Sequence, residues 1–117
     1  MTKLVIISFL VCIVSSCTNG GCDSIPSRFA SYEEAERKIE NVDFYYSEEI
    51  EIQESSWIYG AAFHSCDGTL GFLSIRTDHK NYYHQNVPVT VWESFKKSDS
   101  KGQFYNEELR GNYQLKL

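Results

Sequence analysis

Residues 57–77 read WIYGAAFHSCDGTLGFLSIRT, and this stretch decides the fold. Its first part, Trp57–His64, has the alternation of a β-strand, in which every second side chain lies on the same face. The residues predicted to share one face are Trp57, Tyr59, Ala61 and Phe63. Asp67-Gly68 is a hairpin turn signal, because both residues accept the positive φ of tight primed turns. Leu70–Thr77 is therefore predicted to be the returning strand.

The chain continues this pattern toward its C-terminus. A turn at Asp78–Asn81 and a third strand at Tyr82–Val87 complete an antiparallel meander. Pro88 is placed to open a helix, since its fixed φ suits the first helical position. Val91, Trp92 and Phe95 form the predicted inner side of that helix. Ser100 is predicted to cap a second, shorter helix that Gly111 ends, and residues 114–117 could add an edge strand.

A helix is also predicted before the meander. Ser31 and Glu34 form a capping box, in which each side chain satisfies a free backbone N–H, and the helix should run to about Asn41. Its apolar stripe consists of Tyr32, Ala35, Ile39 and Val42. Residues 43–53 predict one or two strands with a bend near Ser47-Glu48. The prediction is a single α+β domain over residues 29–117, with an N-terminal helix and a three-stranded antiparallel meander covered by one or two C-terminal helices.

The first residues resemble a bacterial lipoprotein signal. Lys3 precedes a short apolar run, Leu4–Val14, which is too short to cross a bilayer as a helix. Val14-Ser15-Ser16-Cys17 follows, with the aliphatic, small, small, cysteine order of a lipobox. We expect cleavage after residue 16 and lipid on Cys17, which would anchor the protein to a membrane in the cell envelope. Residues 17–28 are then a lipidated cysteine and a flexible tether rich in Gly, Ser and Asn.

Two cysteines, Cys22 and Cys66, remain after the signal and the lipidation site. In an exported protein they could form a disulfide, or remain as two free thiols. A Cys66–His64 nucleophilic pair is a weak alternative, because no third orienting group is evident. His79 and His84 complete the set of possible metal ligands, but no close ligand pair of the kind that zinc sites use occurs. No metal and no cofactor are expected.

Residues 55–113 resemble the KTSC domain, a module found at the C-terminus of some lysyl-tRNA synthetases and alone in many small bacterial proteins. The resemblance rests on the order of several short pieces: residues 55–58 (SSWI), 68–70 (GTL), 82–88 (YYHQNVP) and 98–106 (SDSKGQFYN), then Arg110 and Tyr113. The family's Tyr-x-Tyr appears here as Tyr82-x-His84. RNA binding is implied for the family only by its association with synthetases.

The function expected from these observations is a non-enzymatic binding or accessory module on a lipid anchor. Its possible ligand-binding surface consists of Tyr82, His84, Lys101, Asn106 and Arg110, for which packing and capping roles are the alternative. Its expected partners are the membrane, through Cys17, and an unidentified envelope protein or peptide. The chain carries a net charge of −5, which becomes −6 when Lys3 is removed. This charge disfavours nucleic acid as a partner. RNA binding is the second hypothesis and an enzyme of unknown chemistry the third.

Overall fold

The predicted meander is present, but the sheet has four strands rather than three. The computed structural model describes residues 21–117. Four strands lie in sequence order, each antiparallel to the next: β1 (Tyr46–Glu51), β2 (Ile58–Ser65), β3 (Leu70–Thr77) and β4 (Asn81–Pro88). β1 runs without interruption through the predicted bend at Ser47-Glu48. Every residue of β1 pairs with one on β2, from Tyr46 opposite Ser65 to Glu51 opposite Gly60. Pairing with β2 keeps the segment straight, so the bend prediction is wrong.

The β2–β3 hairpin forms around Ser65 and Asp67. The Ser65 hydroxyl accepts a hydrogen bond from the Gly68 N–H at 2.8 Å and donates one to the Leu70 carbonyl at 2.6 Å. One carboxylate oxygen of Asp67 accepts from the N–H groups of Thr69 and Leu70. Of the two predicted turn residues, only Gly68 has a positive φ, 80°, so the predicted Asp67-Gly68 turn belongs to a longer loop than a two-residue primed turn.

An irregularity in β2 corrects the predicted face of Tyr59. The pairing of β2 with β3 shifts register between Ile58 and Gly60. Such a bulge changes which side chains point inward. Ile58 is therefore buried with Ala61 and Phe63, while Tyr59 is exposed. The prediction that Tyr59 shares the inner face is wrong, because strict alternation does not survive a bulge.

The larger core lies between one face of the sheet and the C-terminal helices. These are α2 (Val89–Lys97) and α3 (Lys101–Phe104), and α3 continues into one turn of π-helix at Tyr105–Leu109. Pro88 occupies the N-cap of α2, one position earlier than the first helical position. Trp92 is fully buried, with its ring centroid 5.6 Å from that of Phe63 and 6.0 Å from that of Phe95. The predicted inner side of α2 is confirmed for Trp92 and Phe95, and Val91 packs partly buried beside them.

The N-terminal helix α1 (Tyr32–Asn41) contributes to a second, smaller core on Phe72 and Tyr83 of the sheet. Ser31 caps it as predicted by accepting from the Glu34 N–H at 3.1 Å. The Glu34 carboxylate reaches back to the N–H of Ala30, one residue before the cap. Ala35 and Ile39 are buried, which confirms the centre of the predicted stripe.

Both ends of the described chain are attached to this layered domain. The predicted flexible tether includes residues 21–28, but the structure joins Cys22 to Cys66 by a disulfide and seats Ile25 near buried Phe29. The Ser27 carbonyl also accepts from the Gln85 side chain at 3.0 Å. The segment from Cys22 onward is therefore part of the domain, because covalent and hydrogen bonds hold it. The C-terminal tail makes one bridge, Gln114 to His84, rather than a full edge strand. Residues 1–16 and Cys17 lie outside the described residues.

Candidate functional site

A groove lined by tyrosines opens between α1, β4 and the π-helix. We call it the tyrosine groove, and it has a volume of about 340 Å³. The side chains that define it are Tyr32, Tyr82, Tyr83, His84, Tyr105 and Arg110. Tyr82 and His84 share a face of β4 because they are two residues apart on a strand. Both rings contact that of Tyr105, at centroid distances of 6.5 Å and 5.3 Å. They pack against the π-helix rather than against the helix that follows Pro88.

His84 is the buried polar group of the tyrosine groove. One ring nitrogen, Nε2, lies 3.0 Å from the Tyr105 hydroxyl. The other, Nδ1, is buried and makes no hydrogen bond within residues 21–117. Burial lowers the pKa of His84, although the nearby Tyr113 carbonyl favours the protonated ring. A neutral imidazole has one donor and one acceptor nitrogen, and burial favours this neutral form of His84 in the groove wall.

Positive charge lies over the aromatic rings of this groove. The Arg110 guanidinium carbon is 5.9 Å from the Tyr105 ring centroid. The Lys80 ammonium is 4.5 Å from the Tyr32 ring and 5.2 Å from the Tyr82 ring. These distances are within the range of cation–π attraction. In an acidic chain, the groove therefore combines aromatic walls with basic side chains.

A second groove, about 660 Å³ in volume, lies beside Trp57 and α3. We call it the tryptophan groove. Lys101 and Asn106 line it, and the Lys101 ammonium donates to the Ser98 carbonyl at 2.7 Å. Gly102 allows the indole to lie close to α3, because a Cβ at this position would be 2.6 Å from the Trp57 indole nitrogen and the ring would have to shift. Trp57 packs edge-to-face on Tyr105 at 5.6 Å, so this aromatic pair connects the walls of the two grooves.

The structure thus divides the predicted ligand-binding surface. Tyr82, His84 and Arg110 meet in the tyrosine groove, whereas Lys101 and Asn106 line the tryptophan groove. Sequence reasoning did not include Tyr105 among the candidate site residues. The available signal was that Tyr105 belongs to the 98–106 motif of the KTSC resemblance. That motif and Tyr82-x-His84 are distant in sequence, and they meet at the Tyr105 ring.

The geometry gives little support to a Cys66–His64 nucleophilic pair or to a metal site. Cys66 is bonded to Cys22, so it has no free thiol to act as a nucleophile beside His64. His64 instead faces Ser47 across the strand pair, with Nδ1 2.8 Å from Oγ, and stacks on Phe44. Burial lowers its pKa. Within residues 21–117, no cluster of three or more His, Cys, Asp or Glu side chains could hold a metal ion. The same part of the chain has no helix of the length and apolarity needed to cross a bilayer.

Comparison with known proteins supports the KTSC resemblance and the fold. The sequence model of the KTSC domain matches residues 54–113, which contain β2, β3, β4 and all the C-terminal helices. A similar fold occurs in the crystal structure of a KTSC domain protein from Yersinia pestis, with a TM-score of 0.50 and 22% identity. The similarity covers 58% of this chain and 92% of that one. No curated protein matches the chain. Helix α1 and strand β1 precede the matched region. The match spans just over half of the sequence, and the chain belongs to the KTSC domain family.

Proposed function

We propose that this protein is a bacterial envelope lipoprotein, anchored through lipid on Cys17, which displays its KTSC domain as a non-enzymatic binding module. The signal-like residues before Cys17 support the anchor. The observation that carries the proposal is the Cys22–Cys66 disulfide. Disulfides persist in oxidising compartments outside the cytoplasm and are rare inside it. The bridge and the signal are separate features of the chain, and both favour export.

The tyrosine groove is the binding surface that we assign to this module. Each of its tyrosines combines a large apolar ring with a polar hydroxyl, and tyrosine is enriched where proteins bind one another. Arg110 is exposed at this groove, and Lys80 lies over two of its rings. These cations favour a partner segment that carries an acidic group beside an apolar or aromatic side chain. The partner class is therefore an envelope protein or peptide, and its contact with the groove is non-covalent.

The test is a pull-down from envelope fractions with the lipidated protein and two charge-matched variants. Arg110→Gln removes the exposed cation at the groove, and Lys97→Gln removes an exposed cation from the outer side of α2. We expect a partner that is retained by the parent and by Lys97→Gln and lost with Arg110→Gln. Equal recovery with all three proteins would show that the groove is not the binding surface.

A single strand of RNA is the second candidate, because bases stack on aromatic rings beside basic side chains. Tyr82 and Arg110 line the tyrosine groove, and the Lys80 ammonium lies over the Tyr82 ring. The net charge of −5 opposes this reading. Fluorescence anisotropy with a labelled RNA strand separates the two candidates. Binding that weakens steeply with salt and is lost in Arg110→Gln would favour RNA over a protein partner.

A further inference from the structure

The disulfide fixes the place from which the domain is tethered. Cys22 is bonded to Cys66, the first residue after β2 in the loop of the β2–β3 hairpin. Only residues 18–21 separate this fixed point from Cys17. A fully extended chain spans at most about 3.6 Å per residue, so Cys17 and Cys22 are no more than about 18 Å apart. The hairpin loop is consequently held close to whatever surface carries the lipid.

Exposed apolar side chains are found at this same loop. Tyr45 is 79% exposed and Leu70 is 43% exposed, and both are large hydrophobic residues. The Tyr45 ring is the nearest group to Gly68, since a Cβ built there would lie 3.5 Å from it. Leu70 lines a shallow groove together with Cys22 and Cys66. We call Tyr45 and residues 66–70 the hairpin tip. The exposed side chains and the Cys22–Cys66 disulfide, which are independent features of the structure, thus lie at the same end of the sheet.

We infer that the hairpin tip rests on the lipid surface and places Tyr45 and Leu70 in the membrane interface. This inference rests on the proposed lipid anchor at Cys17. Tyrosine is favoured at the boundary between headgroups and acyl chains, because its ring is apolar and its hydroxyl is polar. The groove beside the tip is lined by one carboxylate, Asp67, one ammonium, Lys116, and the imidazole of His64, whose pKa burial lowers. The contact of the hairpin tip with lipid therefore depends on apolar burial and on the short tether. Zwitterionic lipid, which has no net charge, is sufficient for this contact.

This orientation leaves the tyrosine groove accessible. Tyr82 pairs with Ile75, which lies five residues along β3 from Leu70. At about 3.3 Å per residue, that separation is roughly 17 Å along the strand. The tyrosine groove therefore opens farther from the bilayer than the hairpin tip does.

Quenching of tryptophan fluorescence by brominated lipid tests the orientation. The lipidated full-length protein is placed in phosphatidylcholine vesicles that contain brominated acyl chains, as the parent and as two variants. Tyr45→Trp puts an indole at the hairpin tip. Tyr59→Trp is the matched control, because Tyr59 is also exposed but lies six residues, about 20 Å, along β2 from Ser65. The parent corrects for Trp57 and Trp92.

We expect the fractional loss of emission to be about twofold or more greater for Tyr45→Trp than for Tyr59→Trp, because only interfacial groups reach the acyl boundary. Leu70→Trp gives a second probe if Tyr45→Trp does not fold. Equal losses in a protein whose Cys17 carries acyl chains would overturn the orientation and leave the proposed anchor standing. Mass analysis that finds no lipid on Cys17 would overturn both.

Discussion

Replacing Cys22 and Cys66 together by serine should cost the domain about 4 kcal/mol of unfolding free energy. The two cysteines are separated by 44 residues. The chain-entropy relation gives roughly 13 cal/mol/K for closing a loop of that length, or about 4 kcal/mol at 25 °C. Small domains are stable by about 5–15 kcal/mol, so the bridge supplies a substantial share. The midpoint of thermal unfolding should fall by roughly 15–30 °C.

Circular dichroism during heating, with and without a phosphine reductant, measures this loss. The reductant should lower the midpoint of the parent and leave the double serine variant unchanged, because that variant has no bridge to break. A midpoint that is the same in oxidised and reduced parent protein, with the bridge verified by mass analysis, would refute the reasoning. It would show that packing of Phe29 and the residues before it fixes this segment without the disulfide.

Three further substitutions test the core, an ion pair and the hairpin. Trp92→Ala should cost about 3–5 kcal/mol in denaturant unfolding because Trp92 is fully buried between Phe63 and Phe95; stability equal to the parent, with partner binding lost, would make it a recognition residue. Hydrogen bonds from Lys96, Trp92 and Tyr46 lower the pKa of Glu48 from 4.5 to about 2. The stabilisation from its charged form is therefore complete above about pH 4.5 and lost as pH falls through 2. Glu48→Gln should remove this part of the parent's acid sensitivity, and parallel pH curves would contradict that role. Gly68→Val should cost about 1–3 kcal/mol by thermal melting, since φ is 80°; Gly21→Val is the control, and equal losses would contradict the strain argument.

Glu48 shows why the first strand was harder to predict than the others. Tyr46, Glu48 and Ile50 alternate with exposed residues along β1, so a charged residue stands where a strand pattern predicts an apolar one. The Glu48 carboxylate accepts from the Trp92 indole at 2.9 Å and from the Lys96 ammonium at 2.7 Å. Both partners lie on α2, more than forty residues away. Local periodicity could not include them, whereas β2, β3 and β4 could be predicted from their own apolar alternation and turn residues.

The candidate site was predictable in its parts and not in its assembly. The predicted strand at Tyr82–Val87 already puts Tyr82 and His84 on one face, because a two-residue period needs only local sequence. Their contact with Tyr105 depends on how the π-helix folds back on the sheet, which no local pattern specifies. Asn86, with a φ of 60°, lies at a register irregularity in the pairing of β3 with β4. Such irregularities alter which residues face the core, and the one in β2 is the reason that strict alternation failed for Tyr59.

Mass spectrometry of the mature N-terminus tests the central proposal most directly. The protein is isolated from the membrane fraction of the cells that produce it, and its first peptide is analysed for acyl chains. Cleavage after Ser16 and a diacylglyceryl group on Cys17 are the predicted result. Cys17→Ser should release the protein from that fraction or leave it as unprocessed precursor. A mature protein that begins at another residue and carries no lipid would contradict the proposed anchor.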